Sequence, residues 1–498
     1  MLAYEAAVLL APDFAEAHSN LGNLYVQAGR PDDALLAYAA ALRVKPDFAA
    51  VYSNLGALLV DLERYDVAIR ALQAALLLAP ETPEVYANLG QALRRSGRFR
   101  EAIAASRRAI ELRPDYRDAY LNLSVAAFEV DEFEVALDAS RRALEIDATS
   151  AETNYNRGWL CQATGRYAEA AAAYEAAIAA RPDYAQAHVN LAFSPPGCGD
   201  FARGWEEYIW TWRLPAKRVQ YPYLDRATLW NGEAFLGQQL LITREQGFGD
   251  AIQMARYLPA VKARGGRVVL EAAPALVPLF KGLPGIDEMR VVRDVTIHRD
   301  GVDLFIPITG LPRAFRTDLA SIPAPIPYLR ATGERIERWR PRMERPARLR
   351  VGIAWSGNPN PDSANDRRAC RLEDFAALGA IDGVAWFSLQ KGRDEERRSC
   401  GSLSLDPLGA EIGDFADTAA ILTELDLVIS IDTAIVHLAG SMGKPVWTLL
   451  PFAPDWRWLL ERGDSPWYPT MRLFRQPRAG DWTSVFAQVA HNLRALSS

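Results

Sequence analysis

From residue 12 to residue 182 the chain repeats itself every 34 residues. Prolines stand at Pro12, Pro46, Pro80, Pro114 and Pro182, with Ala148 in the one remaining place. Between them a Leu-Gly pair returns at Leu21-Gly22, Leu55-Gly56 and Leu89-Gly90, and a small residue returns at Ala34, Ala68, Ala102, Ala136 and Ala170. Each unit reads as a helical hairpin. The small residues let neighbouring helices approach closely, and Pro opens the next unit where its missing N–H costs little. A unit this short cannot bury its apolar face alone and has to stack on its neighbours. The expectation for residues 1–215 is therefore an all-α solenoid.

This pattern resembles the tetratricopeptide repeat. Met1 to Ala11 aligns with the second helix of a unit, Tyr4 matching Tyr38 and Ala7 matching Ala41, so the chain starts in mid-repeat and further repeats are expected upstream. One polar position is also periodic: Asn20, Asn54, Asn88, Asn122, Asn156 and Asn190 fall 34 apart. Asn is a modest helix former, so propensity does not ask for it. Two readings are open. The row either bonds each repeat to its neighbour, or it forms a ladder on the inner surface that grips the main chain of an extended acceptor peptide. Protein O-GlcNAc transferases carry a similar ladder in their repeats. At the last unit, Ser194-Pro195-Pro196-Gly197 must break the helix, which resumes at Asp200. The aromatic residues Trp205, Tyr208, Trp210 and Trp212 are expected to be core, packing the end of the solenoid on the next domain.

Beyond the repeats the periodicity changes. Tyr221 to Gly237 is rich in Pro and aromatic residues and reads as a docking linker. Apolar runs at 239–243, 267–271 and 304–308 predict strands, separated by helical patterns at 251–264 and 274–283. An Arg- and Pro-dense segment, 332–348, reads as a hinge. A second set of strands follows at 350–355, 384–389 and 427–431. Domains are thus expected at 1–215, 216–345 and 346–498, the last two being α/β lobes. The stretch Asp426–Leu450, DLVISIDTAIVHLAGSMGKPVWTLL, reads as strand, turn, helix and strand. In a parallel sheet such a turn lies at the carboxyl end of the strand, where free N–H groups of the helix can hold an anion.

Two nucleotide-binding-like lobes facing across a cleft resemble the GT-B glycosyltransferase architecture. The loop EQGFGD (245–250) is similar to the glycine-aspartate loop of lipopolysaccharide heptosyltransferases, glycosyltransferase family 9, and IDTAIVHLAG (431–440) to that family's donor loop. The tail WRWLLERGDSPWYPTMRLFRQ resembles bacterial proteins that fuse such a domain to tetratricopeptide repeats. The resemblance covers about residues 236–490 and departs at Ala434, where the relatives usually have Gly, and in a long insert after Ser356. It implies inverting, metal-independent transfer from a nucleotide sugar.

Such transfer needs a base for the acceptor hydroxyl and groups that hold the leaving diphosphate. Asp250 is the candidate base and Glu245 the alternative, although an Asp at this place also caps helices. Donor-binding candidates are Ser356, Gly357 and Asn358 in the turn after the 350–355 strand, and Arg367 and Arg368, whose planar forks suit a diphosphate. Gln390 and Lys391 follow the next strand, and Asp394 to Glu396 are candidates for ribose hydroxyls. In the anion turn, Asp432 is expected to shape the loop while Thr433 and Ala434 face the diphosphate. His437, one helical turn on, is either a donor contact or a packed core residue.

Composition narrows the class. Residues 1–215 carry 29 acidic and 20 basic side chains, and the remainder 33 and 36, which favours an anionic small-molecule ligand in the second half over nucleic acid. No apolar run approaches the roughly 20 residues of a membrane span. Cys161, Cys198, Cys370 and Cys400 are isolated, and His18, His188, His298, His437 and His491 are scattered, so neither disulfide nor metal spacing is present. A cytoplasmic glycosyltransferase without a bound cofactor is expected, acting on a protein held by the repeats. Flagellin is one possible acceptor, since bacterial flagellin glycosyltransferases share this plan. The alternatives are a glycan or lipid-linked acceptor with the repeats recruiting other proteins, and a non-catalytic scaffold.

Overall fold

The computed structural model describes residues 1–194, 201–215, 228–245, 247–292, 302–323, 325–357, 369–392 and 397–497. Two compact units part between Ala187 and His188.

In the first unit, helix Leu2–Leu10 precedes five hairpins: Ala15–Gln27 with Pro31–Val44, Ala49–Asp61 with Tyr65–Leu78, Pro83–Arg95 with Phe99–Leu112, Arg117–Glu129 with Phe133–Ile146, and Ala151–Ala163 with Tyr167–Ala180. The small periodic residues explain the close pairing: Ala34, Ala68, Ala102, Ala136 and Ala170 are all 0% exposed. A Cβ on Gly22 would lie 2.5 Å from the Tyr38 ring, on Gly56 2.5 Å from Leu72, and on Gly158 2.6 Å from Tyr174. The turn inside each hairpin places one residue in the left-handed region, at Gly29, Glu63, Gly97, Asp131 and Gly165. First helices of successive repeats pack on one another as well as on their own partners. The row of first helices is therefore a continuous surface.

The second unit holds two parallel sheets. Strands β1 (Thr228–Leu229), β2 (Gln239–Thr243), β3 (Arg267–Ala272), β4 (Glu288–Val291) and β5 (Leu304–Pro307) form the first, in the order β1-β5-β2-β3-β4. In chain order there follow β6 (Leu349–Ala354), β7 (Val384–Ser388), the short antiparallel pair β8 (Ser399–Cys400) and β9 (Leu403–Ser404), β10 (Asp406–Pro407), β11 (Leu427–Ile431), β12 (Val446–Leu450) and β13 (Met471–Arg475). The second sheet runs β10-β7-β6-β11-β12-β13. All five residues of β11 are buried, Val428 in one core and Leu427, Ile429 and Ile431 in the core on the opposite face. Burial on both faces is why this strand is an unbroken apolar run.

The strand order reverses between β2 and β5 in the first sheet and between β6 and β11 in the second. Ligands of open α/β sheets bind beside the carboxyl ends of strands at such reversals. Glu245 follows β2, Ser356 follows β6, and Asp432 follows β11, so sequence candidates fall at both places.

Three sequence expectations change. The 332–348 segment is no hinge: Gly333–Met343 is a helix whose Trp339 and Met343 are buried. It is anchored on Asp417, itself 2% exposed, whose carboxylate accepts the Trp339 indole N–H at 3.0 Å, the Gly413 N–H at 3.0 Å and a bond from Arg335. The 274–283 pattern yields a single turn, Val277–Phe280. Helix Phe201–Tyr208 belongs to the second unit: the Trp205 indole donates to the Thr317 carbonyl at 2.8 Å, and Tyr208 donates to Thr309 at 2.8 Å. Trp205 and Trp212 are buried there, and Trp210 stacks on His188 with ring centroids 3.9 Å apart.

Candidate active site

The turn after β11 has the local structure its sequence demands. Thr433, extended at φ −137°, starts helix Ala434–Ser441, and its hydroxyl lies 3.3 Å from Ser430 Oγ. The N–H groups at the start of a helix lack intrahelical acceptors, and here Thr433 and Ala434 are half-buried. Asp432 is directed elsewhere. Its Oδ2 accepts the Trp458 indole N–H at 2.8 Å, and its Oδ1 is 3.6 Å from His437 Nε2. Asp432 thus ties the turn to the segment after β12.

His437 is buried at 1% exposure. Its Nδ1 is 3.0 Å from the Tyr468 hydroxyl, and its ring stacks on Trp458. The expectation of a cleft-facing donor contact gives way to the packed reading, because the ring is buried, Nδ1 is bonded to Tyr468 and one ring face stacks on Trp458. On another side stands Gly249, where a Cβ would come 2.8 Å from His437 Cδ2 and 3.6 Å from Ala434 Cα. Glycine at this position lets helix Phe248–Met254, after β2, lie directly against helix Ala434–Ser441, after β11.

That apposition brings Asp250 to the second sheet. Its Oδ1 accepts from Arg457 Nη2 at 2.7 Å. Arg457 sits in the turn Trp456–Trp458, with its side chain 13% exposed, and its Nε is 3.3 Å from Asp455 Oδ1. Burial works to lower the pKa of the guanidinium, but the carboxylates of Asp455, Asp250 and Asp432 outweigh it and hold the proton more firmly than usual. One cation therefore faces three carboxylates. Arg457 was not singled out from the sequence. It is a lone Arg inside an aromatic run, 207 residues from Asp250, and no spacing signal links them.

Glu245 is 9% exposed and accepts from the Thr309 hydroxyl and, at 3.3 Å, from the Thr309 N–H. This bond spans the strand reversal of the first sheet. Tyr208, whose hydroxyl is tied to the same Thr309, has its pKa pushed well up by burial and by the carboxylates of Glu245 and Asp250. Glu245 also lines a cavity of about 320 Å³ with Arg244, Phe248, Glu271, Phe280 and Ile308. Asp250 is not among the residues of that wall.

In the second sheet, Gln390 does not offer its amide to a ligand. It is 3% exposed, its Oε1 accepts the N–H groups of Trp355 and Ser356 at 3.2 and 3.0 Å, and its Nε2 donates to Lys391 O. Gln390 therefore braces the turn that carries Ser356 and Gly357. Lys391 spends its ammonium on the carbonyls of Gly409 and Ile412 at 3.3 and 2.5 Å, which makes it a loop tie. Asn358, Arg367, Arg368 and Asp394 to Glu396 lie outside the described residues.

The asparagine row has a mixed character. Asn122, 8% exposed, donates to the Ala87 carbonyl of the preceding repeat at 3.1 Å and accepts from Arg94 Nε at 3.3 Å. Asn54 donates to Asn23 at 2.9 Å, and Asn20 to Tyr4 at 3.4 Å. At Asn122 the amide is committed to the solenoid. Asn88 and Asn156 are half-buried, and Asn190 falls in the second unit.

Among the described residues no helix is long and apolar enough to cross a membrane. Models of the tetratricopeptide repeat match residues 22–62, 47–115, 87–151 and 151–184. The chain is similar to Protein FlbA of Caulobacter vibrioides, 29% identical over 340 residues that cover 62% of this chain and 54% of that protein. It thus spans about half the length of this curated relative. Similar solved structures include YrrB, described as a tetratricopeptide-repeat protein with an unusual peptide-binding site (24% identity, 37% of this chain and 95% of that one, TM-score 0.32). Pseudomonas aeruginosa PilF is another (18% identity, 42% and 96%, TM-score 0.37). Residues 22–184 are a run of tetratricopeptide repeats.

Proposed function

We propose that the second unit is an inverting GT-B glycosyltransferase that uses a nucleotide sugar and no metal, and that the first unit recruits its protein acceptor. The observation that carries this reading is the meeting of two strand-end loops. Asp250 after β2 is joined through Arg457 to the segment that also holds Asp432, beside the N-terminal end of helix Ala434–Ser441. Two parallel sheets with their reversal points beside one another are what a donor on one side and an acceptor on the other require.

In the proposed reaction the acceptor hydroxyl oxygen bonds to the anomeric carbon as the bond from that carbon to the diphosphate oxygen breaks. The hydroxyl proton passes to Asp250, and the nucleoside diphosphate leaves with the bonding electrons. The N–H groups of Thr433 and Ala434 stabilise the leaving charge, which is where preorganised donors contribute most. His437, Asp432 and Gln390 shape the site without touching the reacting atoms.

The repeats support a protein-binding role for the first unit. Asn88 and Asn156 are the members of the row proposed to meet the acceptor, while Asn122 bonds the repeats together. The alternative keeps the transferase and makes the repeats a recruiting module for a glycan or lipid-linked acceptor, and the engagement of Asn122 favours it to that extent. Mass spectrometry of candidate acceptors, flagellin among them, from cytoplasmic extracts with and without this chain tests the function. The expected result is a sugar mass on hydroxyl side chains only when the chain is present. No mass difference, with no heat of binding to UDP-, GDP-, dTDP- or ADP-sugars, sinks it. Unchanged modification by a chain carrying Asn88→Ala and Asn156→Ala moves acceptor recognition off the asparagine row.

A further inference from the structure

Arg457 stands where a cation for the leaving diphosphate would be welcome, yet its surroundings argue for a different task. Its position is set from its own loop: Asp455 Oδ1 accepts the Arg457 backbone N–H at 3.2 Å, and the same oxygen lies 3.3 Å from Nε. The guanidinium also lies over the Trp456 ring at 5.2 Å. Asp432 adds a second carboxylate from the end of β11. A guanidinium already surrounded by Asp455, Asp432 and Asp250 has no surplus charge to attract a further anion. What it does have is one N–H aimed at Asp250.

The other half of the cradle is Gly247. A Cβ there would lie 2.2 Å from Asp250 Oδ2, so the second carboxylate oxygen occupies the space that a side chain on residue 247 would fill. The backbone of Gly247, at φ −81°, needs no glycine for conformational reasons. Absence of a side chain is what this position supplies. One oxygen of Asp250 is thus pinned by Arg457, and the other is seated against Gly247 in the space its missing side chain leaves. A general base needs this arrangement, because its reacting oxygen must be held at a fixed place within hydrogen-bond reach of the proton it takes.

We infer that Arg457 and Gly247 are positioning residues for Asp250, which fix the carboxylate for proton abstraction and take no part in binding the donor diphosphate. The inference rests on the glycosyltransferase reading. Its test measures nucleotide release by the full chain from a panel of UDP-, GDP-, dTDP- and ADP-sugars with acceptor extract, for the wild type and for Arg457→Gln, Arg457→Lys, Gly247→Ala and Asp250→Asn. Thermal melting of each variant accompanies the kinetics.

Arg457→Gln is expected to lower kcat by about 100-fold with donor KM changed less than about twofold, the signature of a lost transition-state interaction. Arg457→Lys, which keeps the charge and loses the planar fork, should restore about tenfold of that loss. Gly247→Ala should lower kcat by about tenfold at unchanged donor KM. If Arg457→Gln does not fold, Gly247→Ala and Arg457→Lys carry the same distinction. A rise of tenfold or more in donor KM with kcat retained would make Arg457 a phosphate ligand and overturn the inference. Full activity of both Arg457 variants with an inactive Asp250→Asn would overturn it while leaving the function standing. An active Asp250→Asn, or a wild type that turns over no donor in the panel, removes the catalytic reading itself.

Discussion

The repeat unit and the α/β unit solve the same problem, burying an apolar face, with opposite use of sequence. In the repeats every solution is stated five times. Ala34 and its four counterparts are all fully buried, and the left-handed turn returns at 34-residue intervals from Gly29 to Gly165. In the α/β unit each solution is stated once: among the described residues Asp417 is the acceptor of the Trp339 indole in helix Gly333–Met343, and Arg457 is the cation bonded to Asp250. Loss of a repeated contact leaves its copies in place, since a solenoid is held by nearest-neighbour interfaces. A unique contact has no copy.

The largest stability effect should therefore come from the α/β unit. Asp417 is buried and receives the Trp339 indole, the Gly413 N–H and Arg335. Asp417→Ala leaves the Trp339 indole and the Gly413 N–H without an acceptor, while Arg335, partly exposed, keeps its bond to Asp414 at 3.0 Å, and should cost about 2–4 kcal/mol. Chemical denaturation of the variant, followed by Trp fluorescence, checks the value. Burial alone would raise the pKa of Asp417, but the indole, the Gly413 N–H and the guanidinium together bring it below 3.8. A depressed carboxylate pKa stabilises the fold above its unfolded value and loses that contribution as pH falls. The gap between wild type and Asp417→Ala should thus be full at pH 7 and shrink once the pH drops below about 4. A gap independent of pH from 7 to 3 would show that the charge of Asp417 is not what holds the helix.

How much of the molecule was legible in advance divides along the same line. The repeat period placed every hairpin, and Asp426–Leu450 folds as strand, turn, helix and strand, because in both cases the information is local. The helix at 333–343 is masked in the sequence by the Arg and Pro density of the wider 332–348 segment. The signal lay in Ile336, Trp339 and Met343, spaced three and four apart on one face. Strand β4, Glu288–Val291, carries no strand signal in the sequence because it is half-exposed and has no apolar run. The roles of Gln390 and Lys391 depend on carbonyls and N–H groups far along the chain. So does the pairing of Asp250 with Arg457, and no pattern within a segment encodes such contacts.

Smaller effects inside the repeats sharpen the comparison, because the copies act as internal controls. At Gly22 a Cβ would press on the ring of Tyr38, which is 2% exposed and fixed by its hydroxyl bond to Asn23 at 2.7 Å. At Gly90 the neighbour is Ser106 Oγ, a hydroxyl that can rotate away, and the fourth repeat already carries Ser124 at this place. Overpacking costs about 1–3 kcal/mol, against which helix propensity returns up to about 1 kcal/mol for Gly→Ala. Gly22→Ala should therefore destabilise by about 1–2 kcal/mol, and Gly90→Ala should stay within about 0.5 kcal/mol of the wild type. Equal losses in thermal melts would mean that the position demands glycine whatever it faces.

The smallest effect is the one in which the sequence opposes its own repeat. Five turns adopt a left-handed residue, and two of them use a side chain that resists it, Glu63 at φ 59° and Asp131 at φ 64°. The left-handed conformation costs an L-residue roughly 1–2 kcal/mol that glycine does not incur, and Asp offsets part of this by local hydrogen bonding. Glycine in turn loses more entropy on folding, which returns several tenths of a kcal/mol. Glu63→Gly should thus stabilise the repeats by about 0.5–1 kcal/mol, and Asp131→Gly by less. Gly97→Ala, the reverse change in the intervening repeat, should destabilise by about 1 kcal/mol. Melting temperatures measured on the three variants decide it. A loss of stability in Glu63→Gly would mean that Glu63 makes contacts worth more than the strain of its backbone.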